Sequence, residues 1–167
     1  MTGDELKALQ KPIKERYQAE PAAALVTMRA TGEVSVGNLT CLIPTTTGTI
    51  AAGLHPAAGG NPDWACSGDM LLQSLIGCAG VTLSAVSTAM GITIRKAMIT
   101  AEGDVDFRGT LGVSREVPIG MTAIRVHFEI DSDATPEQLA KLIQLTERYC
   151  VVFQSLKNPP SLSVTLN

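Results

Sequence analysis

Aromatic residues are scarce in this chain: one Trp, two Tyr and three Phe make up 4% of 167 residues. A core built from it must therefore be aliphatic, of Leu, Val, Ile, Ala and Met. Charge of either sign is also thin. Thirteen Lys and Arg against sixteen Asp and Glu leave a net charge of −3, with no block of like charges. Nothing in that balance predicts binding to nucleic acid or to an anionic membrane. The two histidines, His55 and His127, stand alone, and the four cysteines (Cys41, Cys66, Cys78 and Cys150) include no Cys-x-x-Cys pair. Zinc ligation and a disulfide framework are both disfavoured by that spacing, and no metal or cofactor is expected. The opening MTGDELKALQ lacks a basic-then-apolar signal pattern, so a cytoplasmic location is expected.

What the chain does have is apolar content: 45% hydrophobic residues and a mean hydropathy of +0.19. That composition argues against disorder and for a single domain over residues 1–167 with a substantial core. Thr2 followed by Glu5 predicts a capping box opening a helical segment within residues 1–20, broken or kinked at Pro12 and ended by Pro21. Residues 23–30 and 34–43 read as a β-hairpin turning at Thr31-Gly32-Glu33, followed by a strand over 47–53. The Gly- and Pro-rich stretch 54–68 is loop-like and feeds a long helix capped by Ser67 and ending near Met90, with Gly91 as its C′ residue. Strands are expected over 92–107 and 121–131. In the latter, Ile124, Val126, Phe128 and Ile130 alternate with Arg125, His127 and Glu129. Thr135, Pro136 and Gln138 mark another helix start, and SLSVTL at 161–166 reads as a closing strand. The order of elements is α+β.

The central run SLIGCAGVTLSAVSTAM, residues 74–90, carries no charge and one thiol. Its polar punctuation (Ser74, Thr82, Ser84, Ser87, Thr88) favours a helix buried in protein, within the chain or at a subunit interface, over one in lipid. On the face of Cys78 lie Leu71, Ser74, Leu75, Val81, Thr82 and Ala85. Apolar burial raises a thiol pKa and makes the group inert unless a positive charge arrives from elsewhere in the fold. Spacing does not pair Cys78 with Cys150, 72 residues away.

The stretch GGNPDWACSGDMLLQSLIGCAGVTL, the strand AIRVHFEID and the late TPEQLAKLIQLTERYCVVFQSL together resemble the OsmC/Ohr family of osmotically inducible and organic hydroperoxide resistance proteins. The resemblance covers most of the chain after about residue 23. It implies an OsmC-like fold, β-sheets wrapped around two central helices, in an intertwined homodimer. It further implies a thiol peroxidase: Cys78 attacks a peroxide, Cys150 resolves the sulfenic acid, and an external dithiol resets the pair. The family's activating arginine would fall to Arg29, with Arg148 as the alternative. Its glutamate, ten residues before the cysteine, is replaced by Gly68, with Asp69 beside it, and Val151 stands where proline commonly follows the resolving cysteine. His55, Trp64, Cys66, Asp69 and Ser74 are the expected pocket residues. The competing expectation is a non-peroxidatic member of the fold that binds an apolar small molecule at the dimer interface.

Overall fold

The computed structural model describes residues 1–158 and 160; the strand expected at 161–166 lies outside the described residues. The first helix, α1, spans Gly3–Ala19 and opens with the expected reciprocal cap. Thr2 N–H donates to Glu5 Oε2 at 2.7 Å, and Glu5 N–H donates to Thr2 Oγ1 at 3.2 Å. Pro12 does not break it. The surrounding turns face water, so the Ala8 carbonyl deprived of its N–H partner can be hydrated instead.

The hairpin expected over 23–43 forms differently. Pro21–Ala24 makes a 3₁₀ turn, residues 25–32 adopt no regular structure, and pairing begins only at β1, Glu33–Ser35. A 3₁₀ turn at Val36–Asn38 then leads to Leu39, in the left-handed region at φ 54°, before β2, Thr40–Thr45. The strand AALVTMRA is therefore absent: alternation favours an extended chain, but a strand also needs an edge to pair with, and β2 is occupied by β1. β3 (Gly48–Gly53) pairs antiparallel with β2, and β4 (Ala65–Cys66) pairs parallel with β3, giving a sheet in the order β1-β2-β3-β4.

Helix α2 runs over Ser67–Met90, and Gly91 closes it at φ +68°, a conformation that costs a side chain but not glycine. β5 (Ile94–Val105) and β6 (Met121–Ser132) form a second, two-stranded sheet, with the short helix α3, Phe107–Thr110, between them in sequence. Ser132 Oγ donates to Thr93 O at 2.8 Å and Thr122 Oγ1 to Asp104 O at 3.1 Å, the pattern of an antiparallel ribbon. Arg95 pairs with Asp131 and Asp133, and Arg125 with Asp104 and Glu102, all on exposed positions. Helix α4, Pro136–Tyr149, has the expected Thr135–Gln138 capping box; Cys150 ends it in an extended conformation, φ −73° and ψ 106°, and α5 follows at Val151–Ser155.

These elements fall into two compact units. The first, called here the cysteine unit, gathers Met1–Leu9, Ser74–Ile99 and the described residues of Phe128–Asn167. It buries Leu75, Ala79, Leu83 and Ser87, one stripe of α2 at every fourth position, together with Leu142, Thr146 and Cys150, the same spacing along α4. The second, the sheet unit, comprises Gln10–Gln73 and Thr100–His127. Ala52 and Thr40 are buried in it, and Trp64 covers Gly53, where an added Cβ would lie 2.8 Å from the indole ring.

Candidate functional site

Within the cysteine unit the break between α4 and α5 aims backbone at a sulfur. A helix leaves its first N–H groups without internal partners. Because Cys150 steps out of helical geometry, Val151 and Val152 stand at such a start, and their N–H groups favour the charged form of Cys78. The Cys150 thiol and the Thr82 hydroxyl, one turn along α2 from Cys78, act on it in the same direction. Burial pushes the Cys78 thiol up, but these four donors outweigh it and hold the group below the ordinary cysteine value. Burial dominates at Cys150, which is 1% exposed. With the adjacent Cys78 opposing a second negative charge, the Cys150 thiol is raised despite donation from the Phe153 and Val152 N–H groups. The two sulfurs are thus neighbours with opposite tendencies, one toward thiolate and one toward thiol. Both are free thiols.

The amide donors were not legible in the sequence. Their signal was Val151 itself: a residue after Cys150 that retains the N–H a proline would lack. Thr82 was visible as a face-mate of Cys78 but not as its donor.

The other expected site residues divide. His55, Cys66 and Asp69 share the wall of one cavity of about 580 Å³ in the sheet unit, together with Gly68, Phe107 and Met121. His55 stacks on Phe107 with ring centroids 4.9 Å apart and planes 25° from parallel, and its Nδ1 accepts from Ala57 N–H at 3.0 Å. Trp64 is not on that wall; it is committed to covering Gly53. Ser74 is exposed on α2 and does not line the cavity. Arg29 is exposed in the irregular segment 25–32 and has no ion-pair partner among the described residues. His127 is exposed on its strand. Among the described residues no three His, Cys, Asp or Glu side chains gather as metal ligands. α2 is long and apolar enough to cross a membrane by length and composition.

Comparison with known proteins converges on one fold. A crystal structure of an OsmC-like protein from Mycoplasma pneumoniae superposes with a TM-score of 0.65 at 17% identity, covering 80% of this chain and 89% of that one. An organic hydroperoxide resistance protein from Elizabethkingia anophelis gives a TM-score of 0.63 at 18% identity, covering 81% of this chain and 91% of the other. A further organic hydroperoxide resistance protein, from Legionella pneumophila, gives 0.62 at 15% identity, covering 81% and 92%. No curated protein matches the chain by sequence search. The sequence profile of the family described as OsmC-like protein matches residues 60–165, which include α2 with Cys78 and the α4–α5 junction with Cys150. The chain belongs to the OsmC-like family.

Proposed function

We propose that the protein is a thiol-dependent peroxidase acting on organic hydroperoxides, with Cys78 as the attacking residue and Cys150 as the resolving one. The feature that carries this reading is the adjacent pair of thiols with opposed tendencies: hydrogen-bond donors lower the Cys78 thiol, while burial raises that of Cys150 beside it. Family membership and the hydroperoxide resistance proteins that share the fold support it.

In the first step the Cys78 thiolate attacks the terminal peroxide oxygen of ROOH. The S–O bond forms, the O–O bond breaks, and RO⁻ leaves and takes a proton to become ROH. Cys78 is then a sulfenic acid. The Cys150 sulfur attacks it, the S–S bond forms, and the hydroxyl leaves with the Cys150 proton as water. An external dithiol completes the cycle by two exchanges, becoming a disulfide itself and returning both cysteines to thiols. Arg29 is the proposed cation for the first step.

The working unit proposed is a homodimer. The 18-residue apolar window of α2 is only 22% buried within one chain, and Val81 on it is 73% exposed, so a second copy has a large apolar surface to cover. Sedimentation velocity of the reduced protein should give twice the chain mass; a monomer at micromolar concentration would overturn this.

The decisive experiment treats reduced protein with one equivalent of cumene hydroperoxide and maps disulfides and sulfenic acids by mass spectrometry. A Cys78–Cys150 disulfide is expected within seconds. Cys150→Ser should trap the sulfenic acid on Cys78, Cys78→Ser should leave Cys150 untouched, and Arg29→Gln should slow the first step. Unmodified thiols after minutes would sink the proposal and leave a binding protein on this fold.

A further inference from the structure

A helix that ran on through Cys150 would commit the Val151 N–H to the carbonyl four residues back, that of Glu147. The chain does not do this. α4 ends at Tyr149 and α5 begins at Val151; Cys150 between them has ψ 106°, where a helix has about −42°. The last turn of α4 closes with Cys150 N–H donating to Thr146 O at 2.9 Å. α5 opens with Gln154 N–H donating to Cys150 O at 3.0 Å. Val151 N–H makes no bond to Glu147 O. A carbonyl left open at a helix end needs another donor.

A side chain supplies it. Gln154 Nε2 donates to Glu147 O at 2.9 Å, across seven residues. The other end of the carboxamide is held as well. Lys157 Nζ donates to Gln154 Oε1 at 3.1 Å, and the same ammonium lies 5.4 Å from the centre of the Phe153 ring. With its oxygen engaged by an ammonium, the carboxamide turns its nitrogen toward Glu147. The bond therefore reaches from α5 back to α4 and brackets the break at Cys150. The amide it releases is not idle, since Val151 N–H is one of the groups that lower the Cys78 thiol.

We propose that Gln154 is a positioning residue for Cys78: its carboxamide takes the Glu147 carbonyl that Val151 N–H would bond in an unbroken helix, and so keeps that amide free for the sulfur. Gln154 acts through the backbone it holds open. Without its donor, Glu147 O is left for Val151 N–H, and closing that bond returns Cys150 to helical ψ and turns the amide away from Cys78. As a device for peroxide reduction this rests on the peroxidase reading above; the placement of the amide does not require it.

The test follows the pH dependence of Cys78 alkylation by iodoacetamide in the full-length reduced protein, resolved by residue with mass spectrometry. Gln154→Met keeps the length, the unbranched shape and the helix propensity of the side chain and removes the donor. It should raise the Cys78 midpoint and slow alkylation at pH 7 by about three- to tenfold. The decisive arm is a double variant. Val151→Pro has no amide to redirect, so adding Gln154→Met to it should change the rate by less than about twofold. The Val151 amide proton gives a second readout: its resonance should follow the Cys78 midpoint in the wild-type protein and cease to follow it in Gln154→Met. An unchanged Cys78 profile in Gln154→Met would overturn the proposal, whatever happens to stability. Effects of the two substitutions that multiply in the double variant would do so too. Peroxide chemistry is read separately: a wild-type protein with these profiles that forms no disulfide with cumene hydroperoxide would sink the peroxidase reading and leave the role of Gln154 standing.

Discussion

At the scale of single residues the chemistry turns on which group near Cys78 donates. A depressed thiol pKa means that thiolate persists to lower pH than at an ordinary cysteine. The alkylation rate of Cys78 should therefore rise with pH through a midpoint below that of a free thiol, while Cys150 rises only above it. The linkage has the same sign: the stability Cys78 contributes is present above the free-thiol pKa and is lost as pH falls through the lower folded value. Val151→Pro isolates one donor. It sits at the first position of α5, where proline is tolerated, and Cys150 before it is already extended, as a residue preceding proline must be. The substitution thus removes an N–H with little backbone cost. It should move the Cys78 midpoint upward and slow alkylation at pH 7 by up to about tenfold, the worth of one charge-assisted hydrogen bond. An unchanged profile would show that the Val151 amide does not act on the sulfur.

At the scale of elements, local signals were legible and long-range pairings were not. The caps at Thr2 and Thr135, the glycine stop at Gly91, the strand through Ile124 and Ile130 and the span of α2 all follow from interactions within a few residues. The segment 23–30 failed because its alternation says nothing about which sheet edge is free. Pro12 does not end the helix because an exposed helix forgives a missing amide when water can replace it. The site was legible in the same uneven way. Cys78 and Cys150 were paired through the family resemblance, whereas the amides of α5 depend on a φ/ψ break at Cys150 that composition does not reveal. The turn holding His55 is another case. Its backbone closes through Ala58 and Gly60 N–H groups on His55 O, at 2.8 and 3.1 Å, and an added Cβ at Gly60 would lie 1.7 Å from Leu54 O. Gly60→Ala must therefore move backbone. It should cost on the order of 3 kcal/mol, read as a lowered denaturant midpoint, and displace the His55 ring from Phe107. A wild-type midpoint would show that the turn relaxes freely.

For the whole molecule, the proposed disulfide has a thermodynamic consequence. Cys78 and Cys150 are 72 residues apart, and cross-linking a loop of that length removes enough unfolded-chain entropy to stabilise by about 4 kcal/mol. The oxidised protein should melt roughly 10 °C above the reduced one in calorimetry, and dithiothreitol should reverse the difference. Equal melting points after verified disulfide formation would mean that the bond is made at the expense of native packing around Cys150.

Trp64 has an optical consequence. It is the only tryptophan in the chain, and it belongs to the sheet unit, packed over Gly53. Emission excited at the red edge of its absorption therefore reports one unit alone, while the proposed redox pair belongs wholly to the other. Fluorescence and thiol trapping recorded on the same denaturant series become independent clocks, and any lag between them measures how far the two units unfold as one.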